Sequence, residues 1–337
     1  MAYASRHRYY LIGPVAAFVQ VLAYWLDFPS HWSLEGVDPW WNPAQLTLYA
    51  SLAITILAVW RGLRISNTLT PPLVSPIKFV NVAGLKLTGL GCIFETIAGI
   101  WNEVTYHVFH TGPMIASADA LLTVGMLTVN LGIVVGLTVE YGMIKRGFIV
   151  VTKVRRWLTV VCVLLTFSAI WLAASGALIY VGENYSLFPL LNWTAAVLIA
   201  LTGTLVLVCA KKAMPRLGTI IVVGGVFNLV VYFFLVVYVG ADPYLPWALL
   251  PVLLFDVIAT ELVRILGFAR ASLLSSLVFG AVFWAAYFPF TTYLFPWSSS
   301  AQLPTVFVAV GSLAGGWLGN RVFAGLSSLV LGDAASV

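Results

Sequence analysis

Residues 115–142 read IASADALLTVGMLTVNLGIVVGLTVEYG, and Lys145 and Arg146 follow almost at once. These 28 positions hold two charged side chains, Asp119 and Glu140, and no proline. A helix of that length runs about 42 Å at ~1.5 Å per residue. The hydrocarbon core of a bilayer is only about 30 Å thick. The stretch therefore reads as a spanning helix that tilts or continues past the lipid.

Working outward from it, similar windows fall at 10–26, 44–62, 79–105, 157–181, 187–209, 217–240, 244–267, 271–296 and 304–330. Together they predict an all-α polytopic membrane bundle of about ten transmembrane helices. Composition agrees. Of 337 residues, 61% are hydrophobic and 9% charged, against about 25% charged in soluble domains. A soluble fold of this size could not hide so much apolar surface, and no polar stretch is long enough to form a soluble domain. The 28 Gly and 13 Trp suit close helix packing and interfacial anchoring. Cys92, Cys162 and Cys209 lie in apolar runs, where small core residues are expected rather than a disulfide framework or a thiolate metal site. The first window carries Gln20, lacks a small-residue cleavage site and is followed by Asp27, so it reads as a retained helix.

The connecting loops alternate in charge. One set holds Arg6 and Arg8; Arg61, Arg64 and Lys78; Lys145 to Arg156; Lys211, Lys212 and Arg216; and Arg264 and Arg270. The other set holds Asp27, Glu35 and Asp38, the loop from His107 to Pro113, Glu183 and Asp242. Lys86 and Arg321 sit inside helices near the ends that face the first set, so all 17 basic residues fall on one side. The positive-inside rule makes that side the cytoplasm and puts both termini there, in a multi-pass protein of the plasma membrane. The net charge of +5 thus belongs to membrane loops and does not suggest a nucleic-acid partner.

The first four spans contain a repeat. A shift of 76 residues places Leu11 on Leu87, Gly13 on Gly89, Phe18 on Phe94, Trp25 on Trp101 and His31 on His107, with Asp27 falling on Glu103. Both copies cross the bilayer in the same direction, so the hairpins 10–62 and 79–142 form a parallel repeat. The chain then divides into a four-helix repeat region, 1–142, and a six-helix membrane region, 143–337.

Each copy carries an acid and a histidine four residues apart, on one helix face. Gln20, Asp27 and His31 share a stripe on the first span. Glu95, Asn102, Glu103, His107 and His110 share one on the third, and Asp119, Thr123 and Asn130 one on the fourth. Polar side chains facing lipid are costly, so the three stripes are expected to converge inside the bundle. Imidazole with carboxylate and no thiolate suits copper, zinc or non-haem iron. The candidate metal ligands are Glu95, Glu103, His107, His110 and Asp119, with Asp27 and His31 in the first copy; a wetted outer loop is the plainer reading of the same residues. Asp256, placed mid-span in the eighth helix, and Asn228 could form an intramembrane relay or a simple interhelical hydrogen bond. Glu261 and Arg264 read as a local surface pair. Gly224-Gly225 and Gly311 to Gly319 read as helix-packing faces.

The run Asp27-Phe-Pro-Ser-His31, followed by Asp38 and by Pro43-Ala44-Gln45 opening a span, resembles the copper-site segment in the copper-binding membrane subunit of the particulate methane and ammonia monooxygenases. The resemblance covers about 20 residues in each copy. It implies that Asp27 and His31 are membrane-embedded copper ligands. Gln45 stands one residue past the position of that family's closing His. In the second copy Glu103 and His107 match the pattern, and Asp119, one residue early, stands in for that family's final His.

Four function classes follow. The first is a membrane subunit with a copper or zinc site near its outer face, in an oxidase or monooxygenase-like complex. The second is an ion- or proton-coupled transporter or channel using Glu95, Asp119, Asn130 and Asp256. The third is a haem-binding anchor using His31, His107 or His110, and the fourth a structural subunit. The lipid bilayer is the expected partner, together with other membrane subunits or further copies of the chain.

Overall fold

The computed structural model describes residues 2–27, 42–68, 75–109, 116–145, 147, 150–184, 189–234, 236, 245–294 and 302–331. They form ten helices: α1 (Ala2–Asp27), α2 (Pro43–Thr68), α3 (Ser75–Phe109), α4 (Ala116–Lys145), α5 (Lys153–Asn184), α6 (Pro189–Ala213), α7 (Thr219–Phe234), α8 (Leu245–Glu261), α9 (Val263–Leu294) and α10 (Gln302–Leu331). Eight of them contain a stretch long and apolar enough to cross a membrane. Of the others, α7 is apolar over 16 residues and α8 has 17. The chain is thus an all-α polytopic membrane helix bundle, each helix lying on one of the ten windows read from the sequence.

The helices gather into two compact units, Met1–Ala173 with Leu326–Val337, and Ala174–Gly325. The first takes in most of α5, beyond the boundary expected at residue 142, because α5 is bonded to α1. The Trp25 indole donates to the Leu172 carbonyl at 3.1 Å, and Cys162 Sγ lies 3.8 Å from the Leu11 carbonyl. Trp25 is thereby buried, whereas Trp101, its repeat partner, is exposed on α3. The five helices are otherwise joined through small residues. A Cβ on Gly84 would meet the Gly132 carbonyl at 2.8 Å, and one on Gly132 would meet Thr88 N at 2.5 Å. Bare backbone at these steps lets α3 and α4 approach more closely than side chains allow, which is how helices associate where lipid removes the hydrophobic driving force. Gly136 does the same for α1, since a Cβ there would lie 2.6 Å from the Tyr10 ring.

In the second unit α10 has two packing stripes. Gly311 and Gly319 face α6, where added Cβ atoms would meet Val197 Cγ1 at 2.7 Å and the Leu205 carbonyl at 2.9 Å. On the other stripe Asn320 donates to Ser272 Oγ of α9 at 2.7 Å, and a Cβ on Gly280 of α9 would meet Ser312. The Gly311–Gly319 stretch is therefore a packing face, as its sequence suggested. Gly224 packs on Val252 of α8, but a Cβ on Gly225 would meet nothing within 4 Å. Between α8 and α9 Phe255 meets Phe279 edge-on at 6.0 Å.

One boundary differs from expectation. α8 ends at Glu261 rather than near 267, so Asp256 lies little more than a turn from the helix end and is not mid-span. A short turn follows, and the true break comes at Gly267, whose φ of 74° and ψ of 160° fall in a region essentially reserved for glycine. Apolar character runs straight through Glu261 and could not mark that end, whereas Gly267 is where the sequence window closes.

Candidate functional site

The polar core of the first unit starts from Glu95 of α3, 1% exposed. It fits there because Gly125 of α4 lies opposite, where a Cβ would come within 2.9 Å of Glu95 N. Gln20 of α1, equally buried, donates its amide to Glu95 Oε2. Glu95 Oε1 is buried with no hydrogen-bond partner among the described residues. A buried polar atom left unmatched costs on the order of 1–3 kcal/mol, and this oxygen shares that state with Asn130 Oδ1 of α4.

One turn along α1 from Gln20 stands Tyr24, also buried. Its phenol is hydrogen-bonded to Thr123 of α4, and the carboxylates of Asp119 and Asp27 lie within electrostatic reach. Asp27 in turn accepts from Asn42 Nδ2 at 3.4 Å, while Asn42 Oδ1 accepts from Ala44 N at 3.1 Å. Asn42 is the N-cap of α2, with Pro43 at the first helical position, as those two residue types prefer.

The stripes on α1, α3 and α4 thus meet, as their polarity required. In the structure Asp27 of α1 and Asp119 of α4, both half-buried, lie within electrostatic reach of the same tyrosine. Glu103 is half-buried two turns along α3 from Glu95. Asn130 is buried on α4 and donates to the Met126 carbonyl at 2.9 Å. The side chain of His107, within α3, lies outside the described residues, as do His31, Asp38 and His110. Among the described residues no three His, Cys, Asp or Glu side chains are grouped closely enough to hold a metal ion.

The sequence patterns do not single out Tyr24, Asn42 or Glu140. Tyr24 was legible as the residue one turn from Gln20 on its stripe, and Asn42 as the Asn-Pro that opens α2. Glu140, 2% exposed near the C-terminal end of α4, sits in sequence beside basic loop residues, which mask it as one more surface charge.

The acid of the second unit also has a different setting from the one expected. Asp256 meets Lys211 Nζ at 2.5 Å and accepts from Gly218 N at 2.6 Å. Lys211 Nζ also donates to Thr260 Oγ1 at 2.7 Å and to the Arg216 carbonyl at 2.9 Å. The lysine's three donors are thus all used, in a clamp that fastens the α6–α7 connection to α8. Asn228 donates to the Gly224 carbonyl of its own helix. By charge pattern alone Lys211 belongs to a loop. Its place in the last turn of an apolar helix was the available signal, since a long side chain there can turn inward. Glu261 and Arg264 are both exposed, and Cys92, Cys162 and Cys209 are buried free thiols, as expected for core residues.

Comparison with known protein families, characterised proteins and solved structures gives no match to this chain.

Proposed function

We propose that this membrane protein binds a cation at the outer end of α1–α4, and that it serves as the metal-carrying subunit of an oxidase or monooxygenase-like complex. The observation that supports this reading is the convergence of Asp27 and Asp119, one acid from each repeat copy, about the buried Tyr24–Thr123 pair. Both acids are half-buried and come from separate helices, and a bound cation would offset the repulsion between their like charges. The described side chains offer oxygen donors only. A copper or zinc ion would further need imidazole, for which His107 and His110, then His31, are the candidates on this reading. Glu103 would join them from α3. When bound, such an ion would supply Lewis-acid or redox chemistry at the outer membrane face.

Metal analysis of the purified protein tests the reading. About one equivalent of copper or zinc is expected. Replacing His107 by Ala should lower occupancy roughly tenfold, the usual scale for losing a ligand or its support, and His31→Ala should lower it less. Metal-free protein after reconstitution with either ion would sink the proposal.

A second reading is favoured by Glu95 alone. A buried carboxyl with one oxygen bonded and the other unmatched has the form of an intramembrane proton or cation stop in a coupled transporter. Proton flux in proteoliposomes that Glu95→Gln abolishes, with no metal bound, would select this reading over the first.

A further inference from the structure

On the outer surface of the first unit, away from the acidic core, α2 and α3 leave a groove of about 340 Å³ between them. Ile56, Trp60 and Leu63 line it from α2, and Gly89, Ile93 and Ile97 from α3. The volume lies at the lower end of the ~300–1,000 Å³ usual for small-molecule sites. Gly89 keeps the floor open, since a Cβ there would sit 3.4 Å from Val59 Cγ1. The walls face outward, with Ile56, Trp60, Ile93 and Ile97 all exposed.

One end of the groove is charged. The guanidinium of Arg64 lies 4.6 Å from the centroid of the Trp60 ring and that of Arg61 5.2 Å from it. The helices are antiparallel, as the contacts of Gly62 with Leu85 and of Gly99 with Tyr49 show. Exposed Lys86 therefore stands at the same end. Two cations held on the face of an indole are pre-placed for a phosphate, because the ring restrains the guanidiniums and leaves their N–H edges free.

We propose that this groove binds one anionic phospholipid. An acyl chain lies along Ile56, Ile93 and Ile97, and the phosphate sits on Arg61 and Arg64 with Lys86 at the rim. Basic pockets between spanning helices are the recognised setting for anionic headgroups. A partner helix fits less well, because the charged end would need an acid from the partner, whereas an anionic lipid brings its own phosphate.

Native mass spectrometry of the full chain, released from micelles with phosphatidylglycerol or phosphatidylcholine, tests this. One retained phosphatidylglycerol is expected, preferred at least tenfold over phosphatidylcholine. Arg61→Gln with Arg64→Gln should abolish the preference. Ile93→Trp, which fills the groove and keeps both arginines, should remove the bound lipid, while Ile54→Trp elsewhere on α2 should not. Equal retention of the two lipids, or an unaltered preference in the double variant or in Ile93→Trp, would overturn the proposal. A photocrosslinker at Ile97 in membranes should gain the mass of a lipid. Capture of a polypeptide there would equally overturn it.

Discussion

Lys211 and Asp256 meet at 2.5 Å with side chains 4% and 0% exposed, and each has a further hydrogen-bond partner. The pair ties α6 to α8 through residues 45 apart in the chain. A buried ion pair contributes little net stability over a well-packed apolar pair, but stranding one partner is costly, by about 3–5 kcal/mol.

Asp256→Leu alone, or Lys211→Met alone, should therefore lower the thermal midpoint in detergent strongly. The double change to Met and Leu should recover most of the loss. A double variant as unstable as the sum of the two single ones would show that the residues act independently.

The crossing of α3 and α4 should be intolerant of a single methyl group. Gly132→Ala would place a carbon 2.5 Å from Thr88 N. Overpacking of this kind costs about 1–3 kcal/mol, and backbone on both sides leaves no flexible side chain to yield. Gly142→Ala, where a Cβ meets nothing within 4 Å, is the matched control and should be neutral or slightly stabilising. Equal midpoints for the two variants would disprove the close approach.

Gly267 should resist replacement for a different reason. A Cβ there would meet nothing within 4 Å, yet φ is +74° and ψ 160°. Gly267→Ala should cost about 1–3 kcal/mol from backbone strain alone. Proteolysis should then show faster cleavage near residues 262–270. No change in stability would mean that the chain adopts another conformation at this joint.

Sidedness can be read with cysteines, since the three native ones are buried. In a variant with these replaced, a cysteine at Glu35 or Glu183 should react with an impermeant maleimide in intact cells. One at Arg155 or Lys212 should react only after lysis. Labelling of Arg155 from outside would reverse the orientation expected from the basic loops.

Membrane insertion, the helices and most of their limits are legible in the chain one segment at a time. Spanning lipid requires long apolar runs that satisfy their own backbone, and each of those conditions is local, so 115–142 can be recognised without knowing its neighbours. The polarity of the stripes at Gln20, Glu95 and Asp119 is equally local, and so is the need for them to face inward. Which side chains they meet is not. Gln20 reaches Glu95 across 75 residues because Gly125 and Gly136 let α3 and α1 settle onto α4. No periodicity encodes that choice of neighbour. Trp25 and Trp101 make the same point from the other direction. A shift of 76 residues pairs them in sequence, yet Trp25 is buried and bonded to Leu172 of α5 while Trp101 is exposed. Lys211, a loop charge by composition, becomes a buried clamp because the α6–α7 turn delivers Asp256 and Gly218 to it. Local burial follows from residue type, while partnership follows from which backbones can approach, and in this chain glycine decides that in three dimensions.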